Sequence, residues 1–367
     1  MNVLIGYMID GRNSGIDKYI LRVLDILARE NIHADILTGK DNPELRRVLS
    51  PYGAEVFEVP GLMHPKAQYA AMEKILRAGH YDAAYFNISE PMNCIGAKSA
   101  HDFGVPKVII HSHSSSSGDA GSVKSKVKAV LNRMAKTRLG GYGTKFYACA
   151  QTAGQWMFEE PILKSSAYHL LYNPVSVEQF AFDPQVREEV RASLHLEDAL
   201  VIGHMGNYLP AKNTGFLLEI LSQLKKLHPN AMLMSLGDGP ERPGVMERAE
   251  QMGLSDSVMF MGIRDDVSRL VQAMDFFLLP SHFEGLPVSA IEAQMSGVRT
   301  FISDRVSDEV QLSENCSFLP IDKGAELWAQ QISDAWPYQR IDFRKRRAEI
   351  RPFDLQQQTD EIISIFR

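Results

Sequence analysis

Cysteine is scarce: Cys94, Cys149 and Cys316 are the only three in 367 residues, with no C-x-x-C pair and no His/Cys ligand spacing. That excludes a disulfide framework and a structural zinc site, and it predicts a reduced, cytoplasmic protein. Long apolar runs are missing as well. No window approaches the roughly 18 to 20 apolar residues a membrane span needs. The N-terminal "MNVLIGYMIDGRN" has no basic leader, and its apolar stretch is only strand length, so neither a secreted nor an integral protein is expected. No D-x-D triplet occurs, so the common carboxylate arrangement for pressing a metal onto a diphosphate is lacking and no metal is expected. A formal net charge of −6 argues against a generic nucleic-acid binder. Short repeats and low-complexity tracts are absent apart from the serines at 114–117.

What remains is ordinary globular material, 45% hydrophobic and 23% charged, long enough for two or three cores. Short apolar runs alternate with longer amphipathic stretches, the pattern of parallel sheets wrapped by helices. "VLIGYMI", "ADILTG", "EVFEVP", "AAYFNIS", "KVIIHSHS" and "KFYACA" give about six strands before residue 150. After the proline- and aromatic-containing "LYNPVSVEQFAFDP" a second series follows: "LVIGHMG", "AMLMSLGDG", "VMFMG", "FFLLPS", "VRTFISD" and "SFLPI". The fold class is therefore α/β, two doubly wound units, with a ligand expected at the carboxyl ends of the strands in the cleft they face.

One segment breaks the charge balance. Residues 121–145, "GSVKSKVKAVLNRMAKTRLGGYGTK", carry seven Lys/Arg and no acid. Val123, Val127, Leu131 and Met134 recur at helical spacing within it. A helix over 122–139 with an apolar stripe and a basic remainder suits an anionic membrane surface; the other reading is a core-packed helix with a solvated basic face.

In "HFEGLPVSAIEAQ", Glu284 and Glu292 stand eight positions apart. The surrounding sequence reads as a strand ending near Pro280, a loop, and a helix opening near Pro287. Free backbone N–H groups at such a helix start favour phosphate, and Gly285 permits close approach. Two carboxylates on different supports fit two hydroxyl-bearing parts of one extended ligand, a sugar ring and a ribose. The plainer reading is a favourable acid near a helix start and one exposed acid. Lys212, at the mouth of a helix capped by Asn213 or Thr214, can neutralise phosphate. "SLGDGPERP" and "MGIRDDV" follow further strands as glycine turns. Near the N-terminus "GRNSGIDKYI" lacks G-x-G-x-x-G spacing, which weakens a dinucleotide reading. "IIHSHSSSSG" ends a strand with His111 and His113, the latter nearer the loop; a strand-end histidine is more often structural than functional.

Together these residues resemble the family 4 retaining glycosyltransferases of the GT-B fold, above all those building bacterial capsules and exopolysaccharides. The resemblance is densest from about 145 to 320, through "FYACAQTAGQWMF", "IGHMGNYLPAKN", "LGDGP", "MGIRDDV" and "LLPSHFEGLPVSAIEAQMSGVRTFISD". It implies two Rossmann-like domains: 1–172 for the acceptor, joined by a crossover helix at 353–367, and 173–352 for the donor. It implies a nucleotide-sugar donor, usually a UDP-sugar, and transfer with retention to a lipid-linked or oligosaccharide acceptor at the inner face of the cell membrane. No cofactor and no nucleic acid are implied. Carried over by position, Glu284 holds sugar hydroxyls, Glu292 the ribose and Lys212 the diphosphate. Gly262, Ile263 and Arg264 face the base, while Gly285, Leu286 and Pro287 form the donor loop. Gly15 lies where an N-terminal loop approaches the donor, and His113 sits beside the anomeric centre. Asn207 stands where the family usually has arginine, which removes one cation from the phosphate clamp; Arg12, and after it Arg264, are the candidates to replace it. A non-catalytic sugar-nucleotide-binding subunit is the alternative function. A two-lobed solute-binding protein would need the missing signal peptide, and a hydrolysing epimerase would not be expected to carry the E-x7-E segment.

Overall fold

The computed structural model describes residues 1–9, 15–115 and 123–367. The chain divides into two compact units, Met1–Pro174 with Gln357–Arg367, and Val175–Gln356.

The first unit is built on seven parallel strands: β1 (Asn2–Met8), β2 (His33–Thr38), β3 (Val56–Glu58), β4 (Ala83–Ile88), β5 (Lys107–Ser112), β6 (Lys145–Ala148) and β7 (Tyr168–Leu170). Their order is β3-β2-β1-β4-β5-β6-β7. The central strands are buried almost without interruption, as β4 "AAYFNI" shows, because helices cover both faces. Leu4, Leu37, Phe86, Ile110, Phe146 and Phe158 belong to its core. The helix Leu355–Phe366 returns the chain's last residues to this unit. There Lys107 Nζ donates to the carbonyl of Phe366 at 2.7 Å, and the Phe366 ring meets Tyr85 edge-on.

The second unit holds six parallel strands: β8 (Leu200–Met205), β9 (Ala231–Leu236), β10 (Val258–Gly262), β11 (Phe276–Leu279), β12 (Arg299–Ser303) and β13 (Cys316–Leu319). The order is β10-β9-β8-β11-β12-β13. Both sheets are thus doubly wound, and each apolar run of the second series became one of its strands. The direction of winding reverses between β8 and β11, so the loops leaving these neighbours splay apart and open a crevice at their carboxyl ends. β8 and β11 pair through only two residues, Phe276 with Ile202 and Phe277 with Gly203. Their registration is reinforced from below by Asp275, which is 2% exposed. Its carboxylate accepts from Arg187 at 2.5 Å, Arg191 at 3.3 Å and the backbone N–H of Val201 at 2.7 Å. A buried charge so fully hydrogen-bonded is a fixed strut, and losing one partner would leave the other charges uncompensated.

Candidate functional site in the second unit

The winding reversal brings together two loops that are distant in sequence. After β8 the chain passes Gly206, Asn207 and Tyr208, makes a short 3-10 turn at Pro210–Lys212, and enters the helix Thr214–Leu227. After β11 it runs through Ser281 to Pro287 and enters the helix Val288–Met295. Three contacts lace these loops together. The His282 N–H donates to the Ala211 carbonyl at 2.8 Å. Asn213 Nδ2 donates to the Pro280 carbonyl at 3.2 Å, and Lys212 Nζ donates to Glu284 Oε1 at 2.6 Å. Ser281 Oγ donates to the same carboxylate oxygen at 2.8 Å. Charge-assisted bonds of this length, between side chains 19% and 12% exposed, hold cation and carboxylate in defined directions.

Asn213 stands at the helix start in the left-handed conformation, φ 53°, but its amide does not cap the helix. It is spent on the strand-end carbonyl instead. Glu292 lies two turns from Glu284 in sequence, on the buried side of its helix at 7% exposure. Gly285 is half-buried, Leu286 and Pro287 are buried, and Pro287 occupies the cap position of that helix. The floor is His204 on β8. Its Nδ1 donates to the Leu278 carbonyl at 3.0 Å, and its Nε2 comes so close to Gly206 that a Cβ there would sit 3.2 Å away. Burial, with a smaller contribution from nearby Lys212 and against the hydrogen bond to Leu278, pushes this imidazole down to about 4, so the floor is neutral at physiological pH.

Two more loops wall the crevice. Gly237 and Gly239, after β9, have φ of +124° and +157°. A Cβ on Gly237 would lie 2.0 Å from the Gly206 carbonyl oxygen, and one on Gly239 would lie 2.6 Å from that of Tyr208. The "GDG" segment is therefore glycine because its backbone packs on the 206–208 loop. Gly262 ends β10 with φ +66°, and its carbonyl accepts from the Gly237 N–H at 2.8 Å. Ile263 beyond it is 54% exposed, a bare apolar surface. Arg264 forks onto Asp266, with Nε and Nη2 each 2.7 Å from a carboxylate oxygen, so it is engaged within its own turn. Asn207 is exposed.

The first unit carries His113 just past β5. Its Nε2 donates to Asn87 Oδ1 at 2.9 Å, which leaves Nδ1 as the lone-pair nitrogen, and Tyr19 packs 4.9 Å from its ring. Burial pushes the ring down to about 3, with a smaller opposing contribution from Asn173. Such an imidazole is a neutral hydrogen-bond acceptor rather than a cation. His111 is fully buried, held by Tyr85 at 2.5 Å, and its pKa is driven well down by burial and by the neighbouring His113. Gly15 opens the helix Gly15–Arg29 with no atom within 4 Å of where its Cβ would be. Buried Asp17 in that helix accepts from the Ile9 N–H at 3.0 Å, tying the helix start to the end of β1. Arg12 lies outside the described residues. Asp17, Asn87, His204 and Ser281 were not singled out from the sequence. Asn87 was the most accessible of them, as the lone polar residue of an apolar strand.

Residues 186–332 match the family described as glycosyl transferases group 1. Among known proteins, EpsF of Bacillus subtilis (strain 168) is 27% identical over 370 residues, spanning 98% of this chain and 95% of that one. The Escherichia coli UDP-Gal:alpha-D-GlcNAc-diphosphoundecaprenol alpha-1,3-galactosyltransferase is 23% identical over 306 residues, spanning 79% and 76%. Among solved structures, Anabaena Alr3699/HepE in complex with UDP and glucose superposes with a TM-score of 0.77 at 16% identity, over 99% of this chain and 98% of that one.

Proposed function

Because the chain carries a glycosyl transferases group 1 domain within a GT-B fold, we propose that it moves a sugar from a UDP-sugar to a hydroxyl of a lipid-linked or oligosaccharide acceptor, in polysaccharide biosynthesis, with retention at the anomeric carbon. The observation that carries this reading is the convergence of Lys212, Ser281 and Glu284 at the winding reversal of the second sheet. Donor binding there exchanges partners: the diphosphate takes Lys212 from Glu284, and Glu284 turns to the sugar hydroxyls. Glu292 takes the ribose, and the surface of Gly262 and Ile263 takes the base. As the sugar leaves, charge grows on the terminal phosphate, and Lys212 with the nearby helix N-termini stabilises it. No metal is assigned to this step: the sequence has no D-x-D triplet, and among the described residues no group of three His, Cys, Asp or Glu is placed to hold one. A uridine donor is supported by similar proteins alone: the Anabaena structure holds UDP and glucose, and the Escherichia coli relative is named for UDP-Gal.

A panel of nucleotide sugars, assayed for transfer and for donor hydrolysis in the presence of EDTA, tests this reading. Turnover with one uridine donor, undiminished by EDTA, is the expected result. Loss of activity in EDTA and its return with magnesium or manganese would overturn the metal-free assignment. The exposed Asn207 favours a second reading, a sugar-nucleotide-binding subunit without turnover. UDP binding with neither transfer nor hydrolysis across the panel would select it, whereas a rate maintained or raised in Asn207→Arg marks a working enzyme.

A further inference from the structure

The helix Val123–Leu139 is mounted with polar side chains inward. Asn132, 3% exposed, accepts from the Met92 N–H at 3.0 Å and donates to Glu90 Oε2 at 3.1 Å. Lys128 Nζ lies 2.7 Å from the other oxygen of Glu90, and Lys136 Nζ donates to the Gln155 carbonyl at 2.6 Å. The opposite side is apolar. Val127, Val130, Leu131 and Met134 are 56%, 59%, 44% and 50% exposed. Their spacing, i, i+3, i+4 and i+7, makes them one continuous stripe. A helix packed on a core by its apolar face would show the reverse arrangement.

Charge identifies the partner. No Asp or Glu occurs between Asp119 and Glu159. Lys126, Arg133 and Arg138 are exposed. At about 100° per residue, Lys126 and Arg133 flank the stripe on one side, and Arg138 continues its line. A second copy of the chain seated on this face would bring like charges together across a two-fold axis. No described helix is long and apolar enough to cross a membrane, so the geometry is that of a helix lying in the interface plane.

We propose that this face docks on an anionic lipid surface, with Val127, Val130, Leu131 and Met134 at the headgroup–acyl boundary and Lys126, Arg133 and Arg138 against lipid phosphates. The proposal goes beyond the transferase reading and does not rest on it, since vesicle binding is measured without donor or acceptor.

The test is flotation of the full chain with phosphatidylcholine vesicles, with and without phosphatidylglycerol. Binding should require phosphatidylglycerol and weaken with salt. At about fivefold per cation, Lys126→Glu/Arg133→Glu should weaken it by more than about tenfold. Leu131→Gln/Met134→Gln should remove the part that survives salt. All four positions are exposed, so unchanged thermal unfolding certifies both variants. Equal binding to neutral and anionic vesicles, or binding unaltered in both variants, would overturn the proposal. So would a dimer that Leu131→Gln/Met134→Gln disperses in a chain that binds no vesicle.

Discussion

Lys212 and Glu284 are 72 positions apart, and only the adjacency of β8 and β11 makes them neighbours. The E-x7-E spacing was visible in the sequence, but the partner of Glu284 was not, because strand order is not written in apolar periodicity. The pair allows the roles of its members to be separated. In Glu284→Gln the shape and the Ser281 contact are retained, while Lys212 loses its counter-charge. UDP should then bind as tightly as before or more tightly. Transfer from the UDP-sugar should fall about 10- to 100-fold, the worth of a hydrogen bond to a charged group. In Lys212→Ala both UDP affinity and the catalytic constant should fall, the latter by about 10²- to 10³-fold. Calorimetric UDP titration beside steady-state kinetics separates the cases. Parallel loss of UDP affinity and turnover in Glu284→Gln would reduce that residue to a structural support for the lysine.

At the scale of elements, the glycine loop after β9 and the helix Val123–Leu139 show what a sequence pattern leaves open. "GDG" reads as a turn from composition alone. Its positive φ values and its contact with the 206–208 loop become visible only when both loops are in place. Gly253 offers the comparison: its φ is +67°, but no atom lies within 4 Å of where its Cβ would be. Gly253→Ala should cost only the conformational strain, about 1 kcal/mol, and leave UDP binding intact. Gly237→Ala adds a collision with the Gly206 carbonyl and should cost more than about 3 kcal/mol while displacing the loop that carries Lys212. Thermal unfolding with and without UDP distinguishes them: a UDP-induced shift equal to the native one in Gly237→Ala would mean that the loops move independently. In the helix, the spacing of Val127, Leu131 and Met134 was plain from sequence, but the direction they face was not. Glu90, 42 positions from Asn132, decides it by drawing the polar side inward.

For the molecule as a whole, the two strand series were legible because twelve of the thirteen strands are apolar runs ended by a polar, glycine or proline loop; β7, the three residues Tyr168–Leu170 with an exposed His169 at its centre, was not read. The acid response of the two sheets was less so, since it depends on which histidines are sealed in. His111 and His113 belong to the first unit and His204 to the second. Burial holds all three below their ordinary value near 6.5, His113 at about 3 and His204 at about 4. In the unfolded chain these rings bind protons as pH drops through about 6.5, while the folded chain leaves them neutral. The unfolded state therefore holds more protons, and stability decreases as pH falls from about 6.5 toward 4, by at most about 1.4 kcal/mol per pH unit for each ring. Calorimetry should resolve two transitions with different pH slopes, the steeper belonging to the unit with two such rings. His204→Gln can still donate to the Leu278 carbonyl but cannot titrate. It should flatten the second unit's slope by up to one proton between about pH 6.5 and 4 and leave the first unit's unchanged. An unaltered slope would mean that His204 titrates in the folded chain as it does in the unfolded one, and that burial does not hold the site's floor neutral below about pH 6.5.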